Sequence, residues 1–218
     1  MILPEGITIR IRRIYIKMTA NIRKLYLRNN SFTIISNNCW GGFIYQSYKL
    51  SYATPTIGLF FMAEDYIKFL SKLDYYLEQT IIEVPSNSSK WNYKLSHKNN
   101  WGYPIGRLDD IEIHFLHYES IEEAKTAWIR RCKRINRKNL LVKFCDQNEC
   151  SYKYLKEFDS LPFANKICFS VTDYPELESV ICVGNVTQPF VLSTQEPFGK
   201  SRYIDINNFL NNLKVESI

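Results

Sequence analysis

No apolar run in this chain approaches the ~20 residues that a transmembrane helix requires, so the sequence offers no helical membrane span. The N-terminal region also lacks the apolar core of about 7–15 residues and the small-residue cleavage site of a secretory signal. A cytoplasmic protein is therefore expected. The six cysteines, Cys39, Cys132, Cys145, Cys150, Cys168 and Cys182, show no paired spacing and sit mostly in apolar runs. That argues against a disulfide framework and for reduced, buried thiols. Cys145 and Cys150 find no second pair and no nearby histidine to complete a zinc site, and no metal is expected. Neither Gly-x-Gly-x-x-Gly nor the Walker sequence with its lysine occurs. Internal repeats, low-complexity tracts and a composition shift that would mark a second domain are missing as well. No cofactor can be named from the residues.

What is present suits one domain with a substantial core: 218 residues, 45% apolar and 23% charged. Aromatics are heavy, with 15 Tyr and 13 Phe. They fit carbohydrate or flat-ligand contacts, or simply a Tyr-rich core. The net charge of +6 comes from one place, because residues 1–30 hold seven Lys or Arg and one acid, leaving 21 of each sign after them. The globular body is neutral, so no basic stripe for nucleic acid is expected.

In the N-terminal thirty residues, Ile11, Ile14, Met18, Ile22 and Leu25 recur at helical spacing, with Arg10, Arg13, Lys17, Arg23, Lys24 and Arg28 between them. This predicts a basic amphipathic helix. Either it lies on an anionic membrane surface through residues 8–29, or it docks on the domain as a peripheral helix, which is the preferred reading. Met18 is an alternative start, which would make residues 1–17 an extension.

From residue 31 to 218, strand and helix signals alternate. This predicts a single α/β domain of three layers, a mostly parallel sheet with helices on both faces. Strands are expected near 32–36, 57–61, 80–84, 110–116, 139–144, 166–170 and 180–183. Helices are expected at Glu64–Glu78, Ser120–Arg134, Ser151–Ser160 and Asp205–Asn212, the second opened by a Ser120–Glu123 capping box. The polar segment Pro85–Gly106 reads as a long excursion with a β-hairpin around Trp91–Leu95. Asn185–Arg202 reads as a second such segment.

The strand Phe32–Ser36 opens into Asn37-Asn38-Cys39-Trp40-Gly41-Gly42, the strand end at which α/β proteins place ligands. Backbone N–H groups at Gly41 and Gly42 could face a phosphate at the next helix start. Ser36 or Cys39 could serve as a nucleophile with His114 or His117 as base and Asp109 or Asp110 behind it, a set suited to acyl transfer or ester hydrolysis. The plainer alternative, a structural His and an inert buried Cys, is preferred. Strand alternation pairs His114 with Glu112 and makes His117 the partly buried one. Asp109, Asp110 and Glu112 could hold Mg²⁺, but solvation or a salt bridge to Arg107 is the expectation. Arg131 and Arg134, three residues apart near a helix end, could clamp a phosphate or carboxylate, or equally satisfy the helix C-terminus and pair with Asp109, Asp110 or Glu64. Their helix end is expected at the sheet edge opposite the Asn37–Gly42 turn.

Four stretches carry a family resemblance: Ile34–Gly42 with Gly58–Phe61; Tyr103–Tyr118; Trp128–Asn136, with Arg131, Arg134, Ile135 and Asn136; and Arg202–Asp205 with Phe209–Asn211. Together they resemble the bacterial family known as domain of unknown function 1919, whose members are often labelled exopolysaccharide biosynthesis proteins. The resemblance spans Ser31 to Asn211 and leaves the basic helix outside. It implies an association with exopolysaccharide or capsular polysaccharide assembly. The leading expectation is a transferase acting on an activated sugar or glycan precursor, with Ser36, Asn37, Asn38, Cys39, Trp40, Gly41 and Gly42 at its site and Trp40 stacked on the ligand. A Cys- or Ser-dependent acyltransferase or esterase, and a non-catalytic membrane-surface component of the assembly machinery, are the alternatives.

Overall fold

Short apolar strands separated by helices leave each strand free to pair in parallel with a distant one, and this is how the chain folds. The computed structural model of the protein describes residues 5–95, 102–184 and 188–215. Parts of the two expected polar excursions, at 96–101 and 185–187, and the two chain ends lie outside the described residues. In chain order the elements are α1 (Glu5–Leu25), β1 (Thr33–Ser36), α2 (Trp40–Ser47), α3 (Ala63–Ser71), α4 (Leu73–Glu78), β2 (Ile82–Glu83), α5 (Asn92–Leu95), β3 (Ile105–Leu108), β4 (Ile111–His114), α6 (Ile121–Cys132), β5 (Leu140–Cys145), α7 (Tyr152–Ser160), β6 (Lys166–Ser170), β7 (Val180–Cys182) and α8 (Ile206–Asn211).

Four strands form a parallel sheet in the order β1-β5-β6-β7, with Ser36 opposite Lys143 and Cys145 opposite Phe169. Alternation along these strands sends their side chains into two cores, one on each face. Ile35, Val142, Phe144 and Cys168 pack with residues of α3, α6 and α7. Ile34, Leu141, Cys145, Ile167 and Phe169 pack with α2 and α8. The result is the expected three-layer, single α/β domain with a mostly parallel sheet.

The structure departs from the expected strands on one side. The 80–84 and 110–116 segments do not join the parallel sheet; β2, β3 and β4 make a separate antiparallel sheet. Ile105–Leu108, read as the end of an excursion, is its middle strand. The turn from β3 into β4 is only Asp109-Asp110, with Asp109 at φ 53°, a conformation Asp tolerates better than most residues. Gly106 lets this sheet close on its neighbours, since a Cβ there would lie 2.5 Å from Ile81 Cγ2 and 2.9 Å from Phe115 Cε2. The 57–61 segment contributes a single bridge, Phe60 to His114, rather than a strand.

Two further differences are local. The helix expected over Glu64–Glu78 breaks at Lys72 (φ −137°, ψ 47°) into α3 and α4. Where a hairpin was expected around Trp91–Leu95, Asn92–Leu95 forms the short helix α5, and Trp91 before it turns inward to donate its indole N–H to Asp65 Oδ2 at 2.6 Å. Ser120 caps α6 as its pattern predicts, accepting from the Glu123 N–H at 3.1 Å, while Glu123 returns a bond to the Glu119 N–H.

The basic N-terminal helix α1 docks on α2. Arg23, buried, donates to the Ser47 carbonyl at the end of α2, to the Thr19 hydroxyl and to Ile16 O, and its guanidinium lies over the Phe198 ring. Asn211, at the end of α8, accepts from the Arg28 N–H and donates to Tyr26 O, both at 2.7 Å. Among the described residues no helix is long and apolar enough to cross a membrane.

Candidate functional site

A cavity of about 490 Å³ opens along one face of α2, lined by Cys39, Gly42, Phe43 and Gln46 at successive turns of that helix. Facing them are Tyr52, Ile57 and Gly58 of the following segment, His117 and Tyr118 beyond β4, and Glu123 and Arg131 of α6. Ile16 and Lys17 of α1 close one side, and Ser193, Thr194, Glu196 and Phe198 another. The space is walled by aromatics and bordered by Arg131, Lys17, Glu123, His117 and the buried Glu196, a composition typical of small-molecule sites.

The polar turn after β1 supplies the cavity's back wall and not its ligating groups. Asn37 and Asn38 are buried and already engaged. Lys143 of β5 donates to Asn38 Oδ1 at 2.9 Å and to Asn37 Oδ1 at 3.4 Å, and forms an ion pair with Glu196 in which both side chains are fully buried. Asn38 Nδ2 donates to Glu196 Oε1 and Gln147 Oε1, and Asn37 Nδ2 reaches Cys145 Sγ. Ser36 Oγ, also buried, closes the same turn on Asn38. Asp146 holds the 191–198 segment over this network by accepting from the Val191 N–H at 2.7 Å.

Trp40, expected to stack on a ligand, borders the cavity but is almost wholly buried, its ring and N–H engaged within the protein. Its ring meets Phe169 at 5.4 Å, its indole N–H donates to Pro197 O at 2.7 Å, and the Lys143 ammonium lies 5.9 Å from the ring. The two glycines divide. A Cβ on Gly41 would press on Ile34 and Ser36 at 3.4 Å, so this residue brings α2 close to β1; Gly42 faces the cavity. Asn38 Oδ1 accepts from the Trp40 N–H at 3.1 Å, an Asx turn that leads into α2.

Cys39 borders the cavity, but burial first and then Glu196 push its thiol up to about 11, against an opposing pull from Lys143. Thiolate at pH 7 is then roughly one part in 10⁴, the reverse of an activated cysteine. All six cysteines are free.

The histidines exchange the positions that strand alternation assigned to them. His114 is fully buried, outside the cavity, stacked on Phe60 at 4.6 Å with Tyr103 at its edge. Neither ring nitrogen has a partner, and burial, helped by Lys90, lowers its pKa to about 3. Glu112 does not pair with it; its carboxylate accepts from Ser89 Oγ and the Lys90 N–H. His117 is exposed and lines the cavity because the chain leaves the β4 register after Phe115, where the His117 N–H bonds Gly58 O. Asp110 also lies outside the cavity, in the β3–β4 turn. It accepts from Tyr76 OH at 2.6 Å and meets Lys68, contacts that hold its carboxyl below the usual range. Asp109 accepts from Tyr75, and neither acid pairs with Arg107. No group of three metal-ligating side chains occurs among the described residues.

Of the two arginines placed by topology at the opposite edge, Arg131 reaches this site and Arg134 does not. The end of α6 does sit at the start of β1, where Asn136 N–H donates to Thr33 Oγ1. The cavity, however, follows α2 down toward that edge. Arg131 extends into it, hydrogen-bonded to Tyr118 OH and stacked 5.4 Å from the Tyr52 ring. Arg134, exposed, bonds Tyr52 O and positions that residue from outside. Lys143 and Glu196 are residues that sequence reasoning missed. The first had a signal, a lysine inside the apolar run Leu140–Cys145; the second had none.

Residues 10–211 match the family described as "Domain of unknown function (DUF1919)". The chain belongs to this family. An uncharacterized protein of Haemophilus influenzae is 34% identical over 168 residues, covering 77% of this chain and 74% of that protein. The match starts at residue 10, so it takes in most of α1, which the resemblance read from the sequence left outside. A helix pinned to α2 by Arg23 is part of the same folded unit.

Proposed function

We propose that this DUF1919 protein is a cytoplasmic transferase of surface-glycan assembly that binds an activated sugar or glycan precursor in the α2 cavity. The observation that carries the reading is the meeting of Arg131, His117 and Glu123 with Tyr52, Phe43 and Tyr118 around one space. Aromatic faces pack on the apolar faces of a sugar ring. The Arg131 fork neutralises a phosphate leaving group. In the transfer step the bond from the sugar carbon to phosphate breaks, a new bond to an acceptor oxygen forms, and His117 takes the acceptor proton. Asn37, Asn38 and the Lys143–Glu196 pair act as positioning residues that hold the wall rigid.

The test is thermal shift and calorimetric binding with nucleotide sugars, sugar phosphates and lipid diphosphates. One of these classes is expected to stabilise the protein. Arg131→Ala should then weaken binding by about 1.5–3 kcal/mol, roughly 10- to 150-fold, with Arg131→Lys recovering only part because it lacks the fork. The reading fails if no class binds, or if both variants bind as the wild type does.

A further inference from the structure

The helix α1 has two apolar-compatible faces, and only one is used. Ala20 and Arg23 turn inward against α2. On the opposite side Ile11, Ile14, Tyr15, Met18, Ile22 and Leu25 stand in a continuous stripe, all more than half exposed, with Met18 at 75% and Leu25 at 85%. This is the same stripe whose spacing predicts amphipathicity; the fold docks the helix by its other side and leaves the apolar side outward. Contiguous exposed apolar surface of this kind marks an interaction site. We propose that the outward stripe of α1 docks the protein on the anionic surface of a lipid bilayer.

Charge identifies the occupant. Lys17 and Lys24 of the helix and Arg28 just past its end are exposed, and the whole +6 excess of the protein lies in residues 1–30. Apolar side chains that insert at the headgroup boundary, flanked by cations that meet anionic headgroups, define an interfacial helix. A second copy is a poor occupant, because stripe-to-stripe pairing sets two clusters of like charge together. The helix also has no acid after Glu5, so it offers nothing for a basic protein partner. The proposal is independent of what the α2 cavity binds.

Full-length protein should sediment with mixed phosphatidylcholine–phosphatidylglycerol vesicles and not with pure phosphatidylcholine, and added salt should reduce the bound fraction. Met18→Asp with Ile22→Asp changes only exposed positions, so melting should be unchanged while vesicle affinity falls at least about tenfold. Lys24→Glu with Arg28→Glu should lower affinity for the anionic vesicles as well. The proposal is overturned if the wild type does not sediment with anionic vesicles at low salt, or if the double Asp variant sediments equally. A concentration-dependent dimer that the Asp variant dissociates, without vesicle binding, would overturn it in favour of a second copy.

Discussion

His114 is the residue whose burial has the most direct consequence in solution. Its imidazole is enclosed by Phe60 and Tyr103 with no acceptor or donor for either nitrogen, so the folded state holds it neutral down to about pH 3. An unfolded chain protonates the same ring near pH 6.5. Below that pH the unfolded state therefore binds the extra proton, and stability that is complete above pH 6.5 is lost as pH falls toward 3. The loss at pH 5 is about 2 kcal/mol from this group alone, at 1.36 kcal/mol for each pH unit below 6.5. Asp65 and Glu196 have raised pKa values and act with the opposite sign, so the variant difference is the quantity to measure. Urea unfolding at pH 7.5 and pH 5 should show His114→Phe keeping about 2 kcal/mol of what the wild type loses. Equal losses would mean that His114 is already protonated in the folded state.

Among the elements, those built from their own apolar periodicity were legible and those built by a distant partner were not. The strands of the parallel sheet, α6 and α7 follow from runs such as Leu140–Cys145 and from the Ser120 cap. The β3–β4 hairpin was missed because Asp109-Asp110 is not the Asn-Gly or Asp-Gly sequence of a two-residue turn. The 85–95 segment was missed because it is shaped from outside. Asp65 of α3, fully buried, accepts from Trp91 Nε1 and the Glu112 N–H and pairs with Lys90 at 2.5 Å, while Glu112 of β4 accepts from Ser89. One helix and one strand thus hold a segment with little apolar surface of its own. Asp65→Ala should release it, costing about 3 kcal/mol through the abandoned indole N–H and ammonium. Trypsin should then cut after Lys90 and Lys94 well before the rest of the domain opens; unchanged cleavage kinetics would show that the segment is held by packing alone.

At the scale of the whole molecule, the site was half legible for the same reason. The turn after β1 was identifiable from residues adjacent in sequence, whereas the cavity is assembled from α1, α2, α6 and the 191–198 segment, and its wall rests on a contact between Lys143 and Glu196, 53 positions apart. That pair joins the middle of the parallel sheet to the C-terminal segment that closes the cavity, and Asn38 ties both to α2. Two ions buried together are seldom worth more than an apolar pair of equal volume, but either one alone is costly. Lys143→Met leaves the Glu196 carboxylate inside without its cation and should destabilise by about 3–5 kcal/mol. Glu196→Gln leaves the ammonium in the same position. Lys143→Met with Glu196→Gln removes both charges, keeps the amide in reach of Asn38, and should be more stable than Lys143→Met alone. Urea unfolding across the four proteins gives the coupling energy directly. If the double variant loses the sum of the two single losses, the ion pair is incidental to the fold, and the closure of the cavity depends on Trp40, Phe169 and Pro197 instead.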